Sequence, residues 1–337
     1  MPSKRAYKVE SSKSVHDARH PPSLPLAVAN TPISARLAPN ARIRSVWRVL
    51  LPKRARRLRP LPNHARFAPS KGDESRAGEH NAGIDMHAVQ KVLIEPRFSG
   101  FPGTALGAYA AGLIAGQVEG PEAEVTLRSP PPLGRSLTMA SSGGRVTLHD
   151  GETLVAEGTA ARLELEVPNP VSLDLAEQAS AAYPGADRHL VPDCFVCGPR
   201  RAVGDGLRLF TAPVPDRDLV AAVWTPDASL ADATGAVRLE ILWSAADCPA
   251  AWAYIFRAPQ KSDNHAVLGR LAAKLIGRVD AEKPGVVIAW PIRADQSKLV
   301  AGVAILSEHG LPLFVAQATW VLTSWGCPMS RSQWGLS

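Results

Sequence analysis

Between Ala123 and Glu166 the chain reads AEVTLRSPPPLGRSLTMASSGGRVTLHDGETLVAEGTAARLELE. Apolar residues alternate with polar ones along Ala123 to Arg128, Ser136 to Leu148 and Thr153 to Glu166, and a Ser-Ser-Gly-Gly turn at Ser141 to Gly144 divides the middle segment. Such alternation marks half-buried strands, and turn glycines between them mark hairpins. Strands joined by tight turns pair antiparallel, because a parallel sheet needs a crossover, usually a helix, between successive strands. Upstream lie an extended segment, Ala88 to Glu95, and a small-residue run, Gly103 to Gly116, that suits a helix apolar on nearly all sides.

The pattern recurs. Strand-like Gly206 to Phe210 and Leu219 to Trp224 precede a helical segment from about Val237 to Phe256, then strands Gly285 to Trp290, Lys298 to Leu306 and Leu313 to Leu322. Pro130 closing VTLRSP answers Pro291 closing VVIAWP, and Ala156 to Thr159 answers Ala316 to Thr319, at offsets of 161 and 160. The helices are closer, about 135 apart, so Ala258 to Val279 reads as an insertion of roughly 25 residues with its own amphipathic helix, HAVLGRLAAKLIGR. The expected fold class is α+β: two units, each a curved antiparallel sheet wrapped on a central helix. The divisions are 1–85, 86–190 with a less patterned linker from Val167 to Asp193, 191–325, and a tail at 326–337.

A length of 337 residues with 45% hydrophobic content suits two domains and excludes a wholly disordered chain. Residues 1–85 carry 17 Lys+Arg against 6 Asp+Glu, whereas the rest carry 21 against 25, so all of the +7 net charge belongs to the first quarter. That quarter holds ten of the 30 prolines, basic runs such as Lys53 to Arg59 and no lasting hydrophobic period, a composition expected to stay disordered. Its readings are a transit peptide, a nucleic-acid arm, a polybasic membrane contact, or a non-folding extension upstream of a start at Met86. The remainder, net −4, gives no ground for nucleic-acid binding. The longest apolar run, Thr104 to Gly116, is 13 residues, short of the roughly 20 that cross a bilayer. Four cysteines are too few for a disulfide framework, which makes a reducing cytoplasm the expected location.

The phrase Cys194-Phe195-Val196-Cys197-Gly198-Pro199, followed by Gly206-Leu207-Arg208-Leu209, resembles the opening of many hotdog acyl-CoA thioesterase domains. VTLRSPPPLGRSL followed by VTLHDGETLVAEGTA is similar to the strand 2 to strand 4 signature of the same superfamily. The resemblance spans Val92 to Leu322 and implies two fused hotdog units whose sheets form one surface, with an acyl-thioester site between them beside the central helices. It implies acyl-CoA or a related thioester as substrate and no cofactor, and leaves open a homodimer of double-hotdog chains. Relatives often carry a helix carboxylate as base or nucleophile, with His-Gly-Gly nine residues earlier for the oxyanion. Asp247 keeps the acid position, while Arg238 stands where His-Gly-Gly would; in the first unit Phe101-Pro102-Gly103 and Ala110 fall at these places. The implied activity is thioester hydrolysis, with a non-catalytic acyl-CoA-binding protein and a hydratase or dehydratase as alternatives.

Asp247 is the candidate catalytic residue, as base or nucleophile, and Gly103, Arg238, Trp243 and Tyr254 are candidates for substrate contact. The backbone N–H near Gly103, at a helix start, is a candidate oxyanion donor. Asp247 also suits a helix cap, since it precedes Cys248-Pro249, and Pro249 would kink any helix running through from Val237. In a continuous helix Trp243, Asp247 and Tyr254 share a face. Cys194-x-x-Cys197 supplies two soft ligands and lacks a second pair at metal spacing, so it reads as a tight turn and no metal is expected. Arg257, Lys261, Arg270 and Lys274 either meet coenzyme A phosphates or form a solvated helix face.

Overall fold

The computed structural model describes residues 88–336; the expected basic extension, 1–85, lies outside them. The first unit comprises β1 (Ala88–Leu93), α1 (Gly107–Ala115), β2 (Glu122–Leu127), β3 (Ser136–Ser142), β4 (Arg145–Asp150) and β5 (Thr153–Ala160). A connecting helix, α2 (Leu173–Ala181), leads to the second unit. There follow β6 (Ala212–Pro213), β7 (Val220–Trp224), α3 (Leu239–Ala245), α4 (Asp247–Ile255), β8 (His265–Leu275), β9 (Gly285–Ala294), β10 (Lys298–Ser307), β11 (Pro312–Thr323) and β12 (Cys327–Pro328). Among the described residues no helix is long and apolar enough to cross a membrane.

All strands among the described residues belong to one antiparallel sheet in the order β1-β3-β4-β5-β2-β8-β11-β10-β9-β7-β6, with β12 also pairing β8. The order is a mirror about its centre: β1, β2, β3, β4 and β5 answer β7, β8, β9, β10 and β11. The halves join through β2 and β8, where Glu122 faces Lys274 and Thr126 faces Arg270. Ion pairs Lys274–Glu122 (2.6 Å) and Arg270–Glu124 (3.1 Å) bridge this seam. The Lys274 ammonium, followed by the N–H of Leu163, holds the Glu122 carboxyl below its ordinary value.

The strand at the seam corrects one expectation. HAVLGRLAAKL forms the eleven-residue strand β8, not an amphipathic helix in an insertion. Ala266 and Leu268 face the core on one side of Gly269, and Leu271 and Ala273 on the other. The register with β11 jumps from Leu268–Trp320 to Arg270–Thr319, so Gly269 is an extra residue in a bulge. One inserted residue flips the parity of a period of two and leaves a spacing that imitates a helix. The repeat therefore aligns differently at this point. VTLRSP is β2, whose counterpart is β8, while VVIAWP lies in β9, the counterpart of β3. The other anchor, Ala156 to Thr159 against Ala316 to Thr319, does join the equivalent strands β5 and β11.

The concave side of the sheet encloses the central helices. In α1, Ala108, Ala110, Ala111 and Ile114 are fully buried. Its small side chains let it touch α3 closely: a Cβ at Gly112 would lie 2.4 Å from Glu240 Cα and 2.9 Å from Trp243 Cβ. The outer side differs between halves. On the first, β3 and β4 alternate buried and less buried residues. On the second, α2 and the segment carrying Leu163, Leu165 and Val167 pack against Leu219, Ala221, Val286, Ile288 and Leu306. Both faces are thereby covered, which explains why β9 and β10 read as unbroken apolar runs.

The expected tail from 326 onward is also built into the second unit. Cys327 pairs Ala266, and the Met329 N–H donates to Asn264 O at 2.8 Å. Trp334 is buried against Trp252, ring centroids 4.7 Å apart, while its Nε1–H donates to Pro328 O at 2.9 Å.

Two substitutions probe these contacts. Gly112→Ala forces α3 backbone away from α1 and should cost about 1–3 kcal/mol in denaturant unfolding. Gly116→Ala, where a new Cβ meets only ordinary contacts at 3.6 Å, should leave stability within about 1 kcal/mol. Trp334→Ala should cost about 3–5 kcal/mol if this segment is part of the core; a loss below about 1 kcal/mol would mark it as a dispensable tail.

Candidate active site between the central helices

A cavity of about 300 Å³ opens between the two units. The start of α1 supplies Thr104 to Gly107, the end of β2 supplies Leu127 to Pro131, and α4 supplies Asp247, Cys248, Ala251, Trp252 and Ile255. Val267 to Gly269 of β8, Trp320 and Val321 of β11, and Cys327 and Trp334 line the rest, together with the turn holding His189, Cys194 and Cys197.

Pro249 shapes α4. Proline lacks an N–H and its ring crowds the carbonyl four residues earlier, so a helix cannot run through it undisturbed. The residue four before is Ala245, where α3 ends; α4 begins anew at Asp247. Asp247 does not cap its own helix, whose N-cap Ala246 has no side-chain bond. Its Oδ2 instead accepts the Ala108 N–H at 3.2 Å, in the first turn of α1, which has no cap of its own. The carboxyl thus spans the two units while lining the cavity, and it is 3% exposed. Burial pushes it up to about 7; the charge of Cys194 raises it further and the Ala108 N–H opposes both.

The other residues expected at a substrate site lie elsewhere. Because the helix is broken at Ala246, Trp243 is out of register with Asp247, whereas Tyr254, seven residues on in the same α4, keeps its face two turns away but lies outside the cavity lining. Trp243 is buried against α1 at Gly112, and the Tyr254 hydroxyl reaches the carbonyls of Arg293 (2.7 Å) and Val300 (2.8 Å). Arg238 pairs with Glu240 at 2.8 Å and bonds the carbonyls of Ser229 and Ala231. Gly103 occupies a turn at φ 79° before α1, outside the cavity lining, and the helix start that meets Asp247 is four to five residues later. Of the basic residues considered for coenzyme A, Arg257 pairs with Asp218, Arg270 with Glu124 and Lys274 with Glu122.

Apart from Cys248, the neighbours of Asp247 come from segments distant in sequence and carry no local sequence sign. Cys248, next in the chain, brings its sulfur to 3.6 Å from Cys194 Sγ, and the sulfurs of Cys194, Cys197 and Cys248 all lie within 4.8 Å of one another. His189 Nδ1 accepts the Val191 N–H at 2.9 Å, which places the ring proton on Nε2, and Nε2–H points to Cys197 Sγ at 3.3 Å. Burial lowers the His189 pKa, so the ring is held neutral. Cys194 shares sulfur hydrogen bonds with Cys197 and Cys248, to which the N–H groups of Cys197 and Val196 add; the Cys194 thiol is pulled well below its ordinary value. The Cys197 and Cys248 thiols are pushed up. The only available signal was indirect: Cys248 adjoins the singled-out acid at the start of a central helix.

Chemically, the cavity combines a buried carboxylate, a helix N-terminus, one sulfur cluster and mainly apolar walls. The Trp320 indole N–H, at the wall, is buried and has no hydrogen-bond partner among the described residues.

No protein-family model matches the sequence, and neither does any curated protein. The fold is similar to that of solved structures. A tesB protein from Mycobacterium avium subsp. paratuberculosis has a TM-score of 0.47 at 11% identity, over 70% of this chain and 93% of that one. An acyl-CoA thioesterase II from Mycobacterium marinum has a TM-score of 0.44 at 8% identity, over 70% and 93%. A hypothetical thioesterase protein with coenzyme A from Streptococcus pneumoniae covers 33% of this chain and 83% of its own, with a TM-score of 0.29 at 14% identity. Likenesses this distant assign neither residue nor activity. The mirrored strand order about β2 and β8, with the two central helices enclosed by one sheet, gives the chain the double-hotdog fold.

Proposed function

We propose that the protein hydrolyses an acyl thioester, acyl-CoA or a related carrier ester, in the cavity between its units. The observation that carries the reading is the position of Asp247: a buried carboxylate on one central helix, facing the start of the other across a largely apolar cavity. Thioester hydrolysis needs a base for water or a carboxylate nucleophile, plus donors for the developing oxyanion. Asp247 fills the first role. Donors for the second are Gly107 N–H at the start of α1 and the unpaired Trp320 Nε1–H. An unsatisfied buried donor costs about 1–3 kcal/mol, which a substrate carbonyl would recover. Leu127, Leu268 and Val321 offer an apolar wall for the acyl chain.

A second reading, acyl-CoA binding without turnover, is favoured by the same hydrogen bond. Asp247 already takes the Ala108 N–H, and no His-Gly-Gly supplies a replacement donor. The hydratase alternative loses support, because among the described residues His189 is the one histidine at the cavity wall and both its ring nitrogens are engaged.

Free-thiol release from a panel of acyl-CoAs separates the first two. Hydrolysis predicts turnover by the wild type and a kcat lower by about 10²-fold or more in Asp247→Asn, whose amide oxygen can still accept the Ala108 N–H. Trp320→Phe should raise KM or lower kcat while leaving the melting temperature nearly unchanged. Equal rates in wild type and Asp247→Asn would remove the carboxylate from the reaction. A stoichiometric acyl-CoA complex with no thiol released would establish the binding protein instead.

A further inference from the structure

We propose that Cys194, Cys197 and Cys248 together bind one zinc ion, with its fourth coordination position turned to the cavity that these residues line. The trio joins a turn at the opening of the second unit to the first turn of α4, 54 residues apart, with the three sulfurs clustered within 4.8 Å. A tetrahedral zinc site with Zn–S bonds of about 2.3 Å has sulfur–sulfur edges of about 3.8 Å. The Cys194–Cys248 edge is already 3.6 Å.

The surroundings are built for sulfur that carries charge. Val196 and Cys197 turn their backbone N–H groups onto Cys194, and His189 donates Nε2–H to Cys197. His189 is fixed in that tautomer by the Val191 N–H, so it acts as an outer partner of the sulfur and not as a ligand. The turn closes with Gly198 N–H on Cys194 O at 3.0 Å, and a Cβ at Gly198 would sit 2.5 Å from the carbonyl oxygens of Pro192 and Cys194. Only glycine fits there, so the curvature that directs both sulfurs inward is set by the backbone.

Thiolate donors select soft or borderline cations, and three thiolates in a compact group suit zinc. Three cysteines from a core turn would be accounted for by packing alone if their sulfurs faced hydrocarbon. Here they face each other, receive N–H donors, and border a cavity that also holds a carboxylate. Three protein ligands with one open position is the arrangement that zinc uses when a water or substrate completes its shell.

Elemental analysis of the full chain, purified without chelator from zinc-supplemented cells, should find about one zinc per chain. Replacement by cobalt should give the thiolate charge-transfer absorption and visible bands of a tetrahedral sulfur-rich site. Cys248→Ser should lose the metal, and His189→Ala should weaken zinc affinity by about 10–100-fold in chelator competition while retaining the site. Should Cys248→Ser not fold, the wild-type metal content and cobalt spectrum decide alone. Far less than one zinc per chain, iron in its place, three thiols that titrate as freely in the untreated protein as after chelator treatment, or a Cys194–Cys248 disulfide in peptide mapping would each overturn the proposal. These readouts use no thioester, so failure of the hydrolase reading leaves them intact, and the reverse.

Discussion

Two central helices have to be buried against each other inside one sheet, and the rest of the molecule depends on how closely they can approach. Helix contact at this range requires small residues, and α1 supplies Gly112 where the α3 backbone passes. Burial so complete leaves the polar ends of the helices in the interior, where an unpaired backbone N–H is costly. The first turn of α1 has no residue of its own that can serve. Asp247, from the opposite unit, accepts the Ala108 N–H instead, and one hydrogen bond both satisfies a helix end and holds the two units in register.

The seam between β2 and β8 answers the same need at the sheet. A hotdog unit alone would expose the edge of its strand 2; paired antiparallel, the two edges cover each other and the ladder runs on without interruption. The cavity lies where the seam and the helix ends meet, bordered by Gly107 at the start of α1 and by the bulge at Gly269 in β8. Its walls are then necessarily shared, with Leu127 from one unit and Leu268 from the other.

The sequence made the first unit legible because its outer face meets solvent, so Leu137, Met139, Val146 and Leu148 alternate with polar residues. The second unit was harder. Strands β9 and β10 are covered on both sides and lose their alternation, though turns at their ends still delimit them. In β8 the bulge shifts the parity at Gly269, and no local rule distinguishes that from a helical stripe. Asp247 was legible as a residue of consequence, but its partner was not, since capping rules look along one chain segment and Ala108 lies 139 residues away. The same blindness applies to Cys248: spacing rules find metal ligands in pairs close in sequence, and this third sulfur arrives only through folding. Trp334 falls in what reads as a tail, because a short terminal segment without periodicity gives no sign that its indole fills a core position.

Pro249 connects these features. A central helix uninterrupted from Leu239 to Ile255 would bond its backbone N–H groups internally and present residues 247 and 248 as mid-helix side chains. The proline ends α3 at Ala245 and creates a new N-terminus inside the protein, at the cavity wall. A helix start carries partial positive charge, so the first turn of α4 is a favourable place for anionic groups. Both Asp247 and Cys248 stand there, one facing the start of α1 and the other the cysteines of the turn. A residue that looks like a defect in a helix thus places a carboxylate and a sulfur side by side at the meeting point of the two units.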